Sequence, residues 1–320
     1  MDYSAIISRA WDVTWKNRAL WLFGFLVGGA GTNWIYQLSC IGSDSPAAFR
    51  GDIFKGAESI GSAAPLNTPS LPLGALIAIL FGFILFVIVM AIVSAVARGA
   101  LIGLVRRADM GEAVTIRAGF SDGLKNFLAI IGISLAIWIP AIILGILVPL
   151  AFLVPAFTAF AVSLNQENPP PALIAAVLLG LLLYAAVVLP IAIILSLINI
   201  YADSYRVVEG SGVFTSISKG FRLLRERKGA SAAFFFIVLG LSLAFAFAAG
   251  FIGLTTILTS SSIFSGKPLL GIMLAIPGLA ILILASSVFQ AFVSSTWTLA
   301  FLSMSGLGSN ALVQGTKGEP

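Results

Sequence analysis

The chain has 320 residues, of which 59% are hydrophobic and 10% are charged, and its net charge is +5. Soluble domains carry about 25% charged residues, so this composition, with a mean hydropathy of +1.07, excludes a water-soluble globular protein. The chain contains one cysteine and no histidine, which excludes an intramolecular disulfide, a cysteine-based metal site and a histidine-ligated haem. We therefore expect neither a metal nor a cofactor.

Long uncharged apolar stretches dominate the sequence. Crossing a bilayer takes about 20 predominantly apolar residues in a helix, and several stretches exceed this length. The sequence therefore predicts an all-α integral membrane protein with about six transmembrane helices. These helices are predicted near residues 20–40, 72–97, 127–155, 172–200, 231–256 and 269–301.

The first predicted span is irregular. Its residues 28–33 include three glycines, each of which weakens a helix by about 1 kcal/mol, so we predict a break there. The same region carries the polar side chains of Asn33 and Gln37, which form a candidate polar site in the outer half of the membrane.

The positions of lysine and arginine predict the orientation. Fifteen of these residues lie in the N-terminal segment, the second connector (98–126), the fourth connector (201–230) and the C-terminal tail. Three lie in the remaining connectors. Since cytoplasmic loops are enriched in Lys and Arg, both termini are expected on the cytoplasmic side of a bacterial plasma membrane. Topology thereby accounts for the positive charge, and we do not expect nucleic-acid binding.

A related amphipathic segment precedes the first, third and fifth predicted spans. Each segment places an aliphatic residue four positions before an aromatic one, on one helical face. The pairs are Ile7 with Trp11, Ile116 with Phe120, and Ile217 with Phe221. Such a face is typical of a helix that lies in the membrane interface, so the candidate interfacial anchors are Trp11, Trp15, Phe120 and Phe221. Ordinary topology anchoring is the simpler interpretation, and lipid binding is the more specific one.

The three segments predict an internal repeat. Each unit would consist of an interfacial helix and a transmembrane hairpin, and the units would be related by a pseudo-threefold arrangement. The predicted repeats cover about residues 1–97, 98–200 and 201–304 of a single membrane domain. A flexible cytoplasmic tail is expected at 305–320.

Two stretches carry a resemblance to a known family. They are residues 9–24 (RAWDVTWKNRALWLFG) and the segment from Ala97 through Gly111 to Phe120. They resemble bacterial six-span proteins related to the membrane domain of glycerophosphoryl diester phosphodiesterase, most of which are uncharacterised. In fused members a soluble barrel carries the catalytic residues. These 320 residues contain no such barrel, so the resemblance does not imply hydrolase activity here.

The sequence offers little catalytic chemistry. It contains no G-x-S-x-G nucleophile elbow and no G-x-x-x-x-G-K phosphate loop, so we do not expect an enzyme. Arg98, at the inner end of the second predicted span, is the one ionisable side chain expected at membrane depth, which argues against a proton-coupled transporter. Two small-residue motifs, Gly24-x-x-x-Gly28 and Gly99-x-x-x-Gly103, predict close helix contacts.

Basic clusters beside the membrane are candidate contacts for lipid headgroups. They are Arg106, Arg107, Arg222, Arg225, Arg227 and Lys228. One hypothesis is therefore a non-catalytic scaffold, a lipid-interacting protein or an accessory subunit of a larger membrane complex, with membrane lipids and other membrane subunits as partners. The alternative is a permease or channel for a neutral or weakly anionic solute, lined by the broken first span and by proline-kinked helices.

Overall fold

The structure, a computed structural model, describes residues 2–30, 73–164, 171–264 and 268–308. Every secondary-structure element in these ranges is a helix, which confirms the all-α class. The helices are α1 (Tyr3–Lys16), α2 (Ala19–Ala30), α3 (Leu73–Asp109), α4 (Ile116–Leu164), α5 (Pro171–Glu209), α6 (Val213–Glu226), α7 (Lys228–Phe264) and α8 (Pro268–Ser305).

Five of these helices are long and apolar enough to cross a membrane. The candidate spans are Leu80–Asp109, Ile116–Leu147, Leu182–Glu209, Lys228–Thr256 and Ile276–Ser305. Of the predicted span at 20–40, the structure describes only α2, whose apolar part is Ala19–Gly28. Asn33, Gln37 and most of the predicted break lie outside the described residues, as does the tail beyond residue 308.

The amphipathic segments take two forms. The first and third are separate helices, α1 and α6, whereas the second is the beginning of α4 and continues without interruption into a 49-residue helix. The predicted repeat of a separate interfacial helix followed by a hairpin therefore stays a prediction.

The second and fourth connectors are much shorter than the sequence predicts. Hydropathy ends the second span near residue 97 and the fourth near residue 200, but α3 continues to Asp109 and α5 to Glu209. Asp203, which hydropathy places in the fourth connector, lies inside α5 with 4% of its surface exposed. The expectation for Arg98 stays a prediction. Charged residues ended the predicted spans at 97 and 200. The helical residues that follow, 98–109 and 201–209, are nevertheless mostly covered by protein.

The long helices extend past the hydrocarbon layer. α3, α5, α7 and α8 contain 37 to 39 residues, or about 55–60 Å at 1.5 Å per residue. The hydrocarbon core is about 30 Å thick. Each of these helices therefore has turns outside the hydrocarbon.

The described residues divide into two compact units. The N-terminal unit contains Tyr3–Leu124 and Phe235–Thr296, and the central unit contains Lys125–Phe234 and the residues from Trp297 onward. In the N-terminal unit the core lies in the last third of α3. Its buried apolar residues there are Ala95, Val96, Ala97, Ala100, Leu101, Ile102, Leu104 and Val105.

Helices α2 and α8 touch through their backbones in the N-terminal unit. A Cβ atom added to Gly24 would lie 2.3 Å from the carbonyl oxygen of Ser287, and one added to Gly28 would lie 3.7 Å from the side chain of Gln290. The hydroxyl of Ser287 donates a hydrogen bond to the carbonyl of Trp21. The close contact predicted from Gly24-x-x-x-Gly28 is thus confirmed.

In the central unit, Tyr201 is the centre of a buried aromatic cluster. Its hydroxyl donates to Ser231 Oγ over 3.1 Å, and its ring lies 6.4 Å from the ring centroids of both Trp297 and Phe301. Trp297 also makes an edge contact with Phe234. Through these rings, α5, α7 and α8 pack against one another.

A hydrogen bond between α4 and α5 compensates for a proline. Residue 149 is proline and has no N–H, so the carbonyl of Gly145 loses its usual partner four residues on. The hydroxyl of Tyr184 donates to that carbonyl at 2.9 Å. In an apolar medium an unsatisfied carbonyl costs free energy, so Tyr184 stabilises a helix that contains this proline.

The C-terminal ends of α3, α5 and α8 share one backbone feature. Gly111, Gly210 and Gly306 have φ values of +76°, +71° and +72°. This left-handed conformation ends a helix and costs other residues about 1–2 kcal/mol. At α5 the N–H of Gly210 bonds the carbonyl of Arg206 at 2.9 Å, and the chain then turns directly into α6.

We predict that Tyr184→Phe lowers the free energy of unfolding in detergent by about 1 kcal/mol, because the Gly145 carbonyl loses its donor. In a Pro149→Ala background the same change should cost almost nothing, since residue 149 then donates to that carbonyl. Denaturant unfolding of the four proteins in a double-mutant cycle measures the coupling. Equal costs in both backgrounds would contradict the compensation.

We predict that Gly210→Ala lowers the free energy of unfolding by about 1 kcal/mol, because alanine must adopt a positive φ. The matched control is Gly180→Ala in the same helix, where the added methyl meets nothing within 4 Å. Alanine favours the helix over glycine by about 1 kcal/mol, so this control should be neutral or stabilising. Effects of the same sign at both positions would refute the role of Gly210 as a helix cap.

Candidate functional site

The three amphipathic segments are packed onto the protein by their smallest residues. Ala10, Gly119 and Gly220 each precede the aromatic residue of their segment, and all three are buried. A Cβ atom on Gly119 would lie 2.7 Å from Leu104, and one on Gly220 would lie 3.1 Å from the backbone of Ala202. The absence of side chains at these two glycines lets the backbone of each segment approach the preceding helix.

The aromatic residues of the segments face away from this contact. Trp11, Phe120 and Phe221 are 51%, 51% and 52% exposed. The predicted pairs differ in their environments. Ile217 packs against the core of the central unit while Phe221 points outward, whereas Ile116 and Phe120 are both about half exposed. The face that packs on protein is rotated by about 100°, the angle of one residue in a helix.

The inner face of α6 covers an apolar cluster between α4 and α5. Val213, Ile217 and Leu224 pack against this cluster, which consists of Ile133, Ile137, Ile198 and Ala202. The cluster positions α6 and leaves its opposite face uncovered by the described residues.

An ion pair attaches α1 to the end of α3. Arg9 Nη2 lies 2.7 Å from Asp109 Oδ1, and the Asp109 side chain is 2% exposed. The same nitrogen donates to the carbonyl of Asp109 at 3.2 Å. A cation at the C-terminus of a helix is also favoured by the helix dipole, so this contact stabilises both the charge and the helix end.

The other two segments carry comparable ion pairs. Arg107, in the last turn of α3, contacts both carboxylate oxygens of Asp122, with Nε–Oδ2 and Nη2–Oδ1 distances of 3.0 and 3.3 Å. Lys219 of α6 pairs with Glu209, the last residue of α5, and lies 5.7 Å from the ring centroid of Tyr205. Each segment is therefore joined to the end of a long helix by opposite charges.

The six predicted headgroup contacts fall into distinct environments. Arg106 is half-buried, Arg107 is engaged by Asp122, and Arg222 donates from Nε to Glu226 Oε1 at 2.7 Å. Glu226 accepts that hydrogen bond and raises the pKa of Arg222 above its usual value. The remaining three cations are exposed and have no ion-pair partner within the described ranges. They are Arg225, Arg227 and Lys228.

Phe214 belongs to the same exposed surface of α6 as Phe221 and Arg225, although the sequence analysis did not select it. Its side chain is 80% exposed, and it lies seven residues, or two turns, before Phe221. Arg225 follows four residues after Phe221, on the same line of the helix. The seven-residue spacing between Phe214 and Phe221 is the feature of the sequence that indicates their shared helix face. We call the surface formed by Phe214, Phe221 and Arg225 the outer face of α6.

On α1, the predicted anchors are tryptophans in contact. Trp11 and Trp15 have ring centroids 5.4 Å apart, and Trp11 packs edge-on against Phe292 of α8. Trp15 contacts Trp21, whose indole N–H donates to the carbonyl of Thr14 at 2.9 Å. The outer edge of this cluster remains about half exposed.

Five apolar helices of spanning length define a multi-pass membrane protein. Residues 14–314 match the family of unknown function DUF7544, and the chain belongs to that family. Searches of the curated proteins and of the solved structures find no match. The resemblance to the membrane domain of glycerophosphoryl diester phosphodiesterase stays a prediction.

We predict that Asp109→Asn lowers the free energy of unfolding by about 2 kcal/mol, because the nearly buried carboxylate partner of Arg9 is lost. Asp12→Asn removes the same charge from an exposed position of α1 and should change stability by less than about 0.5 kcal/mol. Thermal or denaturant unfolding in detergent compares the two variants. Equal effects would show that the Arg9–Asp109 pair does not hold α1.

Proposed function

We propose that the protein is a non-catalytic membrane scaffold whose three amphipathic segments lie in the lipid headgroup region. The supporting observation is that Trp11, Phe120 and Phe221 are half exposed to the same extent while the residues preceding them are buried. In water this arrangement would be unfavourable, because burying an aromatic side chain is worth about 1.5–3 kcal/mol. At a membrane interface the same arrangement is favourable.

The partners in this proposal are membrane lipids and other membrane subunits. In the most apolar 18-residue stretch of Lys228–Thr256, only 6% is buried inside the described protein. Phe247 and Phe251 are among its exposed side chains. A helix with so little contact within its own chain has a surface free for lipid or for a helix of another subunit.

The proposal also includes an orientation. The N-terminal segment, residues 98–126 and residues 201–230 carry most of the lysines and arginines. By the positive-inside rule these parts lie in the cytoplasm. The amphipathic segments would then occupy the cytoplasmic leaflet of a bacterial plasma membrane.

We predict that position 221 lies among lipid headgroups and acyl chains, whereas position 226 lies in water. Single-cysteine variants, Phe221→Cys and Glu226→Cys in a Cys40→Ala background, can each be labelled with a polarity-sensitive fluorophore and placed in lipid nanodiscs. Spin-labelled lipid should quench the label at 221 more strongly, and aqueous iodide should quench the label at 226 more strongly.

Positions 11 and 16 provide the same comparison on α1, with Trp11→Cys and Lys16→Cys in the same background. Labels at 221 and 11 that iodide quenches as strongly as those at 226 and 16 would overturn the proposed function. Bound protein that shields 221 from both lipid and iodide would support the accessory-subunit form of the proposal, with a protein partner on that face.

A further inference from the structure

We infer that the junction of α6 and α7 binds the phosphate groups of anionic phospholipids through Arg225, Arg227 and Lys228. This inference rests on the proposed function, since it requires α6 to lie at the membrane surface. It goes further by naming the lipid class and by separating three cations from the other basic residues of the chain.

The geometry of the junction brings the three cations together. Helix α6 ends at Glu226, and α7 begins at Lys228. Arg227 between them is non-helical, with φ −117° and ψ 38°, and its N–H bonds the carbonyl of Leu223. All three cationic side chains therefore leave the backbone within about one turn of chain, and all three are exposed.

The local electrostatics favour an anion. Lys228 and Arg227 stand at the N-terminal end of a 37-residue helix, where the helix dipole is positive and disfavours cations. Glu226, the carboxylate adjacent to Arg225 and Arg227 in the sequence, is hydrogen-bonded to Arg222. A bound phosphate would relieve this repulsion and would accept the bidentate hydrogen bonds that arginine offers.

Three other basic residues near the ends of the long helices have carboxylate partners. Arg9 is paired with Asp109, and Lys219 is paired with Glu209. Arg107 makes its two contacts with Asp122. These cations hold the segments in place, so their charge is locally compensated and a lipid phosphate gains less from them.

The position of the junction identifies the occupant as a bilayer rather than a soluble anion. By length and composition, the candidate span in α7 begins at Lys228, so the junction lies at the end of an apolar helix of spanning length. Phe214 and Phe221 project from the outer face of α6 beside Arg225. Aromatic side chains among acyl chains next to arginines among phosphates form the pattern of an interfacial helix on an anionic membrane.

The test compares two triple variants of the full chain in detergent. Arg225→Gln, Arg227→Gln and Lys228→Gln together remove the proposed site. Arg50→Gln, Lys55→Gln and Lys267→Gln together remove the same charge from the connectors that the topology analysis places on the opposite side of the membrane. Native mass spectrometry measures binding of phosphatidylglycerol and phosphatidylcholine to each protein.

Each cation near anionic lipid contributes about a fivefold change in affinity, so the site variant should bind phosphatidylglycerol at least tenfold more weakly than the unmodified protein. The control variant should change less than threefold, and phosphatidylcholine binding should be unchanged in both. A third variant, with Arg225→Lys, Arg227→Lys and Lys228→Arg, should retain phosphatidylglycerol binding. Equal losses in the site and control variants, or no loss in either, would overturn the inference.

Two further measurements separate this inference from the function on which it rests. If the label at 221 is in lipid but the site variant binds phosphatidylglycerol normally, the headgroup site is wrong and the scaffold proposal stands. If the label is in water, both are wrong. Inorganic phosphate at millimolar concentration should not displace phosphatidylglycerol; displacement would show that the cations bind a soluble anion instead.

Discussion

Close backbone contact between an amphipathic segment and a long helix is the constraint on which the arrangement depends. At Gly123 an added Cβ would lie 2.3 Å from the carbonyl oxygen of Val96, a distance that no larger residue tolerates. Gly24 makes a contact of the same closeness with Ser287. In a membrane the hydrophobic effect does not drive helices together, so tight packing through small residues supplies much of the attraction.

This packing determines which side chains remain outside. Because the small residue of each segment is placed against protein, the aromatic residue that follows it is turned outward. The ion pairs of Arg9, Arg107 and Lys219 then fix the segments to the ends of α3 and α5. Cations used in this way hold the structure together. The cations at the start of α7 have no such partner in the described chain, which is why they are available for an anionic ligand.

Composition and hydropathy were sufficient to predict an all-α protein with several membrane-spanning helices. The amphipathic segments and the interfacial role of Phe221 stay predictions. Composition and hydropathy were not sufficient for the ends of the helices. The turns from Arg98 to Asp109 contain four charged residues, which ended the predicted span, but most of these turns are packed against protein. The partners of Arg107 and Lys219 depend on how the chain folds back on itself. Phe214 lies outside the aliphatic–aromatic pairs that the three segments share, and only its seven-residue spacing from Phe221 places it on the same face of the helix.

The hydrogen bond from Tyr184 to the carbonyl of Gly145 links two positions that are far apart in the sequence. A chain with proline at 149 benefits from a hydroxyl at 184, whereas a chain with any other residue at 149 has an N–H for that carbonyl and gains nothing from the hydroxyl. Selection therefore acts on the pair rather than on either residue alone. Among related chains, loss of the proline should release position 184 to become phenylalanine or leucine, and a change at 184 should be rare where the proline persists.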